Sequence, residues 1–281
     1  MLSHTYPLIR KSLVAFTPTY LPQGIQRPSF PPILGTGFIV REYGVVITNR
    51  HVVDAFKSFY RPPEVNSDDW CVTALYLYIR EGEQLEVPLE VTGVGLIENF
   101  DGGEPYYGPP QPDLAAVYVK ARDLPVVEID MTTEIHEGIE VGIAGFPMGT
   151  YMLTVPGWLH QIGPTLQQGI VSAVLPCPGI TPHAFTISMM AQGGVSGSPV
   201  FQTDTGMVLG VLCAGLNEMR QLRVLSSAIE YSVPTNISYV VPSHYIAQFL
   251  QTLKPQIPHD AQTLDGMLQG TTIVVRSRSE L

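Results

Sequence analysis

The chain has 281 residues, 45% of them apolar and only 14% charged, which supplies a sizeable core and argues against a disordered polymer. With 15 basic against 25 acidic residues, its formal net charge of -10 repels phosphate backbones, so nucleic acid is not an expected partner. The three cysteines, Cys71, Cys177 and Cys213, form no C-x-x-C pair, which leaves zinc-ribbon and thioredoxin chemistry unsupported.

No metal or cofactor site is expected. No apolar run approaches the roughly 20 residues needed to span a bilayer. The opening "MLSHTYPLIRKSLVAF" lacks the apolar core and small-residue cleavage site of a secretory leader, so the expected compartment is the cytoplasm, with reduced thiols.

Glycine (26) and proline (25) are abundant without a fixed period, and with so much valine, isoleucine and tyrosine they predict many short strands joined by tight turns. Residues 1–30 hold one strand candidate, "SLVAF", followed by a proline-punctuated stretch. "GTGFIV" (35–40) and "GVVITN" (44–49) read as strand, turn, strand, and "HVVDAF" (51–56) as a short helical turn. "CVTALYLYI" (71–79) alternates like a barrel strand and "EVPLEVTGVGLI" (86–97) continues it. Residues 99–112 read as a long surface loop before the strand "DLAAVYV" (113–119).

A second run of strands takes in "EGIEVGIAGF" (137–146), "QQGIVSAVL" (167–175), "AFTISM" (184–189), "SPVFQ" (198–202), "GMVLGVLCAG" (206–215) and "ISYVVP" (237–242). In "PSHYIAQFLQTLKP", Tyr245, Ile246, Phe249, Leu250 and Leu253 recur at helical spacing, with Ser243 as the expected cap and Lys254-Pro255 as the stop. The pattern predicts one lobe over 1–120, a second over 121–255 that ends in the helix, and a tail over 256–281 of unreadable role.

Three residues could form one site. His51 follows an apolar strand where the chain turns, so a rigid scaffold would hold it at a cleft. Asp113 opens "DLAAVYV", where a partly buried carboxylate could accept an imidazole N–H. Asp101 and Asp54 are rivals for that role. Ser196 lies in "GGVSGSPVF", where glycines at 193, 194 and 197 free the backbone to aim the N–H groups of Gly194 and Ser196 at one spot. Ser198 is the competing hydroxyl. A serine hydroxyl attacks only with an adjacent base. His51 and Asp113 fall on the first set of strands and Ser196 on the second, which predicts a site in the crevice between them.

With these motifs in order, "GTGFIV", "ITNRHVV", "DLAAVYV", "AGFPMG", "QQGIVSAV", "GGVSGSPVF" and "GMVLGVLCAG", the chain resembles the trypsin-like (chymotrypsin-fold) serine proteases. The likeness is to their HtrA/Deg-like branch, without the PDZ domain usual there. The resemblance implies an all-β fold of two six-stranded antiparallel β-barrels with a C-terminal helix. It carries a catalytic triad onto His51, Asp113 and Ser196 and an oxyanion hole onto the N–H groups of Gly194 and Ser196. Polypeptides would be the substrates, and a trimer is one option for the assembly.

Insertions between His51 and Asp113 make that carboxylate the least secure carry-over. Val195 stands where digestive members bind a newly cut N-terminus with an aspartate. The implied specificity pocket is lined by Met190, Ala214 and Gly215, with the strand "YVVP" (239–242) completing its walls. These are apolar and predict cleavage after small or medium aliphatic residues. The competing expectation is a catalytically silent binding module with a covered cleft. An α/β-hydrolase esterase fails on chain order, since there the serine precedes the acid and the histidine.

Overall fold

The computed structural model describes residues 2–22, 32–80, 83–97, 111–132, 134–147, 154–155, 159–160, 162–177, 181–224, 227–254 and 258–270. Six strands close the first barrel: β1 (Leu13–Pro18), β2 (Gly35–Arg41), β3 (Val45–Thr48), β4 (Val72–Arg80), β5 (Glu83–Leu96) and β6 (Ala115–Val119). They run around it in the order β1-β2-β3-β6-β5-β4. A short helix, α1 (Leu2–Arg10), precedes them, and α2 (Arg50–Ala55) follows β3.

After the short β7 (Ala121–Arg122), the second barrel comprises β8 (Glu140–Gly145), β11 (Thr165–Leu175), β12 (Ala184–Ile187), β13 (Pro199–Gln202), β14 (Val208–Val224) and β15 (Ser227–Pro242). The small pair β9 (Thr154–Val155) and β10 (Leu159–His160) is inserted after β8. The order around this barrel is β11-β12-β15-β14-β13-β8, and every pairing within both barrels is antiparallel. The two six-stranded barrels are those the family resemblance implies, and each takes in one of the two sets of strands read from the sequence.

β1, β2, β3 and β6 of the first barrel are buried on both faces, because alternate residues serve two different cores, whereas β5 alternates buried with exposed residues. Val14, Phe16, Ile39, Val46 and Val117 fill the first barrel. Their neighbours Leu13, Ala15, Phe38, Ile47 and Ala116 face outward into a shared layer with Ala144, Phe146, Phe201 and Val211 of the second barrel. Val141, Ile143, Phe185 and Val200 fill the second barrel's own interior. Continuous apolar runs such as "VVIT" are thus required, since each side chain is wanted on one face or the other. Burying residues of this size contributes roughly 1.5–3 kcal/mol each.

Three features depart from the sequence reading. The helix α1 forms despite Pro7 inside it, because Ile9 enters the shared layer and Thr5 Oγ1 donates to Thr203 O at 3.0 Å. The strands β14 and β15 run well past Gly215 and before Ile237, as a hairpin paired through Val224↔Ser227. In the expected tail, β16 (Gln262–Thr263) pairs with β7, and α4 (Leu264–Gly270) sends Leu264 and Leu268 into the first barrel's core.

The C-terminal helix of the second barrel, α3 (Ser243–Thr252), forms as expected. Its cap does not, since Pro242 occupies the N-cap position and the Ser243 hydroxyl is buried without a partner among the described residues. Residues 98–110, which hold most of the expected surface loop and the rival Asp101, lie outside the described residues, as do 271–281.

In α3 the next residue, His244, is 6% exposed, and neither ring nitrogen has a partner among the described residues. Burial, helped by nearby His183, pulls its pKa down to about 4. The neutral imidazole is therefore favoured in the fold, while the unfolded chain takes up a proton near pH 6.5. The stability contributed by the neutral form is complete above about 6.5 and is lost as pH falls toward 4. Urea midpoints measured at pH 7 and pH 4.5 should differ markedly in the wild type and less in a His244→Phe variant; equal differences in the two proteins would remove His244 as the titrating group.

Candidate active site

The pairing of β3 with β6 brings the first two candidates together. The register sets Thr48 opposite Ala115, so the chain leaving β3 and the chain entering β6 meet at one end of the barrel. His51 lies one residue into α2 and Asp113 two residues before β6. Its ring Nδ1 lies 2.6 Å from Asp113 Oδ2, and its main-chain N–H donates to Asp113 Oδ1 at 3.1 Å. Both oxygens of one carboxylate thus address the same histidine, fixing the ring's rotation as well as its position. The pair is accessible at the surface, with side-chain exposures of 49% for His51 and 28% for Asp113.

Asn49 stabilises this arrangement from beneath. It stands at the N-cap position of α2 but makes no cap bond; its side-chain amide donates to Asp113 O at 2.8 Å. Its own Oδ1 is left buried without a partner among the described residues. A cap worth about 1 kcal/mol is forgone, and the turn before β6 is anchored instead. The rival Asp54 faces elsewhere, pairing loosely with Arg50 (3.9 Å) and Lys57 (3.8 Å).

Ser196 sits on the loop that enters β13, partly exposed, between residues that are fully buried. Gly194 and Gly197 adopt φ of 93° and 87°, a left-handed conformation that L side chains rarely take. A Cβ on Gly197 would fall 2.0 Å from Thr36 O and 2.3 Å from Thr48 Oγ1, so glycine is also required by space. The N–H groups of Val195, Gly197 and Ser198 donate to Gln192, Leu212 and Val195 carbonyls. Those of Gly194 and Ser196 donate to no described residue.

Ser198, the competing hydroxyl, is fully buried against Gly145, where an added Cβ would meet Ser198 Oγ at 2.0 Å. It cannot face a cleft in this conformation. Val195 is 1% exposed in the second barrel's core, an apolar neighbourhood in which a carboxylate would be poorly accommodated.

Thr36 of β2, itself fully buried, ties this loop to the first barrel. Its N–H donates to Ser196 O at 2.8 Å and its hydroxyl to Gly194 O at 2.8 Å. The same hydroxyl accepts the Phe146 N–H at 3.1 Å, and Thr48 Oγ1 donates to Thr36 O at 2.7 Å. Its neighbour Gly35 brings the two halves of the site within reach of each other. A Cβ there would lie 2.7 Å from Val52, next to His51, and 3.2 Å from Ser196 O.

The residues expected to line the pocket fall on two segments, one around Met190 and one on β14. Met190 is partly buried and touches the Gln192 amide through its sulfur, while Ala214 is exposed on β14. A Cβ on Gly215 would meet Ala191 O at 3.3 Å and Ala191 Cβ at 3.5 Å, so the two segments approach closely at that point. Cys213 lies beside them, unpaired, and donates to Tyr239 O at 3.3 Å. Burial, with the charge of Asp113 adding to it, pushes its thiol pKa up to about 12.

Sequence reasoning missed Thr36, Asn49 and Cys213 as parts of this site. Each lies within a stretch singled out for other residues, but strand alternation alone does not say which inward polar group meets which partner across two barrels.

Residues 35–211, more than half of the chain, match the model of the family described as the trypsin-like peptidase domain. A protein named probable periplasmic serine endoprotease DegP-like, from Marinomonas sp. (strain MWYL1), is 28% identical over 193 residues, which is 68% of this chain and 30% of that protein. A protein of the same name from Pseudomonas fulva (strain 12-X) is 26% identical over 208 residues, 73% of this chain and 34% of its own. The chain thus spans about a third of the length of these relatives.

Among solved structures, the HtrA-type protease AlgW with a decapeptide aligns over 93% of this chain and 69% of its own, at a TM-score of 0.55 and 15% identity. The serine endoprotease from Yersinia pestis aligns over 89% of this chain and 65% of its own, at 0.53 and 18%. These likenesses establish the fold.

The periplasmic naming of the relatives overturns the cytoplasmic expectation. That expectation rested on a missing leader pattern and on sparse cysteines, and neither feature fixes a compartment. With a family match across both barrels and the His51–Asp113 pair at their junction, the chain belongs to the trypsin-like peptidase family.

Proposed function

We propose that this chain is a periplasmic serine endopeptidase of the DegP/HtrA kind, working through His51, Asp113 and Ser196. The observation that carries this reading is the imidazole–carboxylate contact of 2.6 Å at the barrel junction, beside a glycine-shaped loop that leaves Ser196 accessible. His51 takes the Ser196 proton as the hydroxyl attacks the scissile carbonyl, then gives it to the leaving amine. Asp113 holds the ring and stabilises the imidazolium. The undonated N–H groups of Gly194 and Ser196 receive the oxyanion, a contribution worth on the order of 3 kcal/mol per donor.

Specificity follows from the walls at Met190, Ala214 and Gly215. They offer no counter-charge to a buried Lys or Arg, and the close approach of Gly215 to Ala191 restricts the space. The substrate side chain entering there is small or medium and aliphatic, such as Val, Ala or Leu.

Digestion of an unfolded protein, read by mass spectrometry of the new termini, tests this reading. Cuts should cluster after Val, Ala and Leu, disappear in Ser196→Ala and persist in Ser198→Ala. A profile dominated by Lys and Arg would contradict the pocket, and no cleavage by the wild type would favour the silent binding module.

Asp113→Asn should lower kcat by about 10⁴-fold, as loss of the orienting carboxylate does in triad enzymes. Thr36→Val should lower kcat by about 10²-fold with KM little changed, because the loop is displaced without touching the pocket. Thr36→Ser, which restores the hydroxyl, should recover most of it. An equal loss in Thr36→Ser would show that packing by the methyl group is what matters.

A further inference from the structure

Away from His51 and Asp113, at the other end of the first barrel, α1 and α4 border a cavity of about 650 Å³. Glu42, in the turn from β2 to β3, lines it, whereas His51 follows the far end of β3. The segment after β7 is held to that turn, since the Leu124 N–H donates to Glu42 O at 3.1 Å. The strand β4 contributes Tyr76 to Ile79. Small-ligand sites usually measure about 300–1,000 Å³, so the cavity is of a size to hold one.

The lining carries charge of both signs, and none of it is neutralised locally. Arg10 and Lys11 bring two cations from the end of α1, while Glu42, Asp123 and Asp265 bring three carboxylates from three other segments. None of the five forms an ion pair or a side-chain hydrogen bond with a described residue. Asp123 is also the one non-glycine residue among those described with a left-handed backbone, at a φ of 58°.

The rest of the lining is largely apolar and aromatic. Tyr76 is 1% exposed, yet its hydroxyl makes no hydrogen bond among the described residues. Buried polar groups are ordinarily paired, because an unpaired one is costly. Burial, with Tyr78 adding to it, raises the Tyr76 pKa, so the hydroxyl keeps its proton and can donate it to an occupant. Leu77, Ile79 and Leu264 supply apolar surface beside it.

We propose that this cavity binds short apolar peptides with both ends free, about two to four residues long at roughly 3.5 Å each. The peptide carboxylate meets Arg10 and Lys11, its ammonium meets the three carboxylates, and its side chains cover Ile79 and Leu264. A ligand of one sign would satisfy one set of charges and leave the other unpaired; a zwitterion satisfies both. The site stands independently of the endopeptidase reading. Its occupant would also tie α1 to the first barrel. That helix is fastened to the second through Thr5 Oγ1 on Thr203 O at 3.0 Å and through the Tyr6 hydroxyl on Pro164 O at 3.2 Å.

Calorimetric titration of the Ser196→Ala protein with the tripeptide Leu-Val-Leu tests the site, since that substitution prevents turnover of the probe. Acetylating its N-terminus or amidating its C-terminus should each weaken binding by roughly tenfold or more, as each removes one charge-assisted contact. In a variant carrying Arg10→Gln and Lys11→Gln, the free peptide should bind no better than the amidated one. With Glu42→Gln and Asp123→Asn it should bind no better than the acetylated one. Each variant should keep its preference at the other end, which locates the two ends separately. All four residues are exposed or partly exposed, so the fold does not depend on their burial. In the protein with its cavity intact, saturating peptide should raise the urea midpoint.

Equal binding of free and blocked peptides, or no binding of any of them, would overturn the site. A preference for only one free end would assign the cavity to a ligand of single charge and overturn the zwitterion. End preferences unchanged in both double variants would place the peptide elsewhere and overturn the site as well. Binding is read in a protein without Ser196, so failure of the unsubstituted protein to cleave polypeptides would remove the endopeptidase and leave this site standing.

Discussion

One fully buried threonine fixes how the two barrels face each other at the site. All the polar groups of Thr36 are engaged, two of them on the loop that carries Ser196, one of these also on the β8 side of the second barrel, and its carbonyl on Thr48. A buried polar group left unpaired costs about 1–3 kcal/mol, so any displacement of the loop loses several such bonds together. The packing is tight at Gly145 and Gly197, where an added Cβ would fall 2.0 Å from its nearest neighbour. The loop that carries Ser196 is thus tied to the first barrel by several buried hydrogen bonds, which suits the proposed role, since catalytic groups must be aligned closely.

The shared apolar layer makes this local tie effective. Phe38 and Ile47 of the first barrel and Phe146 and Phe201 of the second are buried in one cluster, so the barrels meet as one core. The polar contacts at Thr36 sit at the rim of that layer, in a region shielded from water where they count for more. His51 and Asp113 stand partly exposed.

The barrel strands were legible in the sequence in two ways: β5 from its alternation of apolar and polar residues, and the strands buried on both faces from short continuous apolar runs bounded by turn residues. The positions of His51 and Ser196 could be read because each follows or precedes such a strand. Asp113 was harder, since only the β3–β6 register shows that residues 62 positions apart share one end of the barrel.

Three elements escaped for physical reasons. The helix α1 carries Pro7 and gains its stability from contacts with the second barrel. The hairpin beyond Gly215 pairs with itself, and its described residues 216–221 and 230–236 are exposed or partly exposed, so no buried face imprints a pattern on them. The short α4 depends on packing of Leu264 and Leu268 against strands far away in sequence. The cap expected at Ser243 failed because the strand β15 runs straight into the helix and leaves that hydroxyl buried.

In the proposed mechanism Ser196 is the activated hydroxyl of a unit assembled from both barrels. Peptide mapping after reaction with a fluorophosphonate reads this directly, because the reagent phosphonylates only a serine made nucleophilic by its neighbours. One adduct is expected, on the peptide containing Ser196 and assigned to that residue by fragmentation, and it should disappear in His51→Ala. An adduct on Ser198, or labelling of Ser196 that is undiminished without His51, would contradict that mechanism.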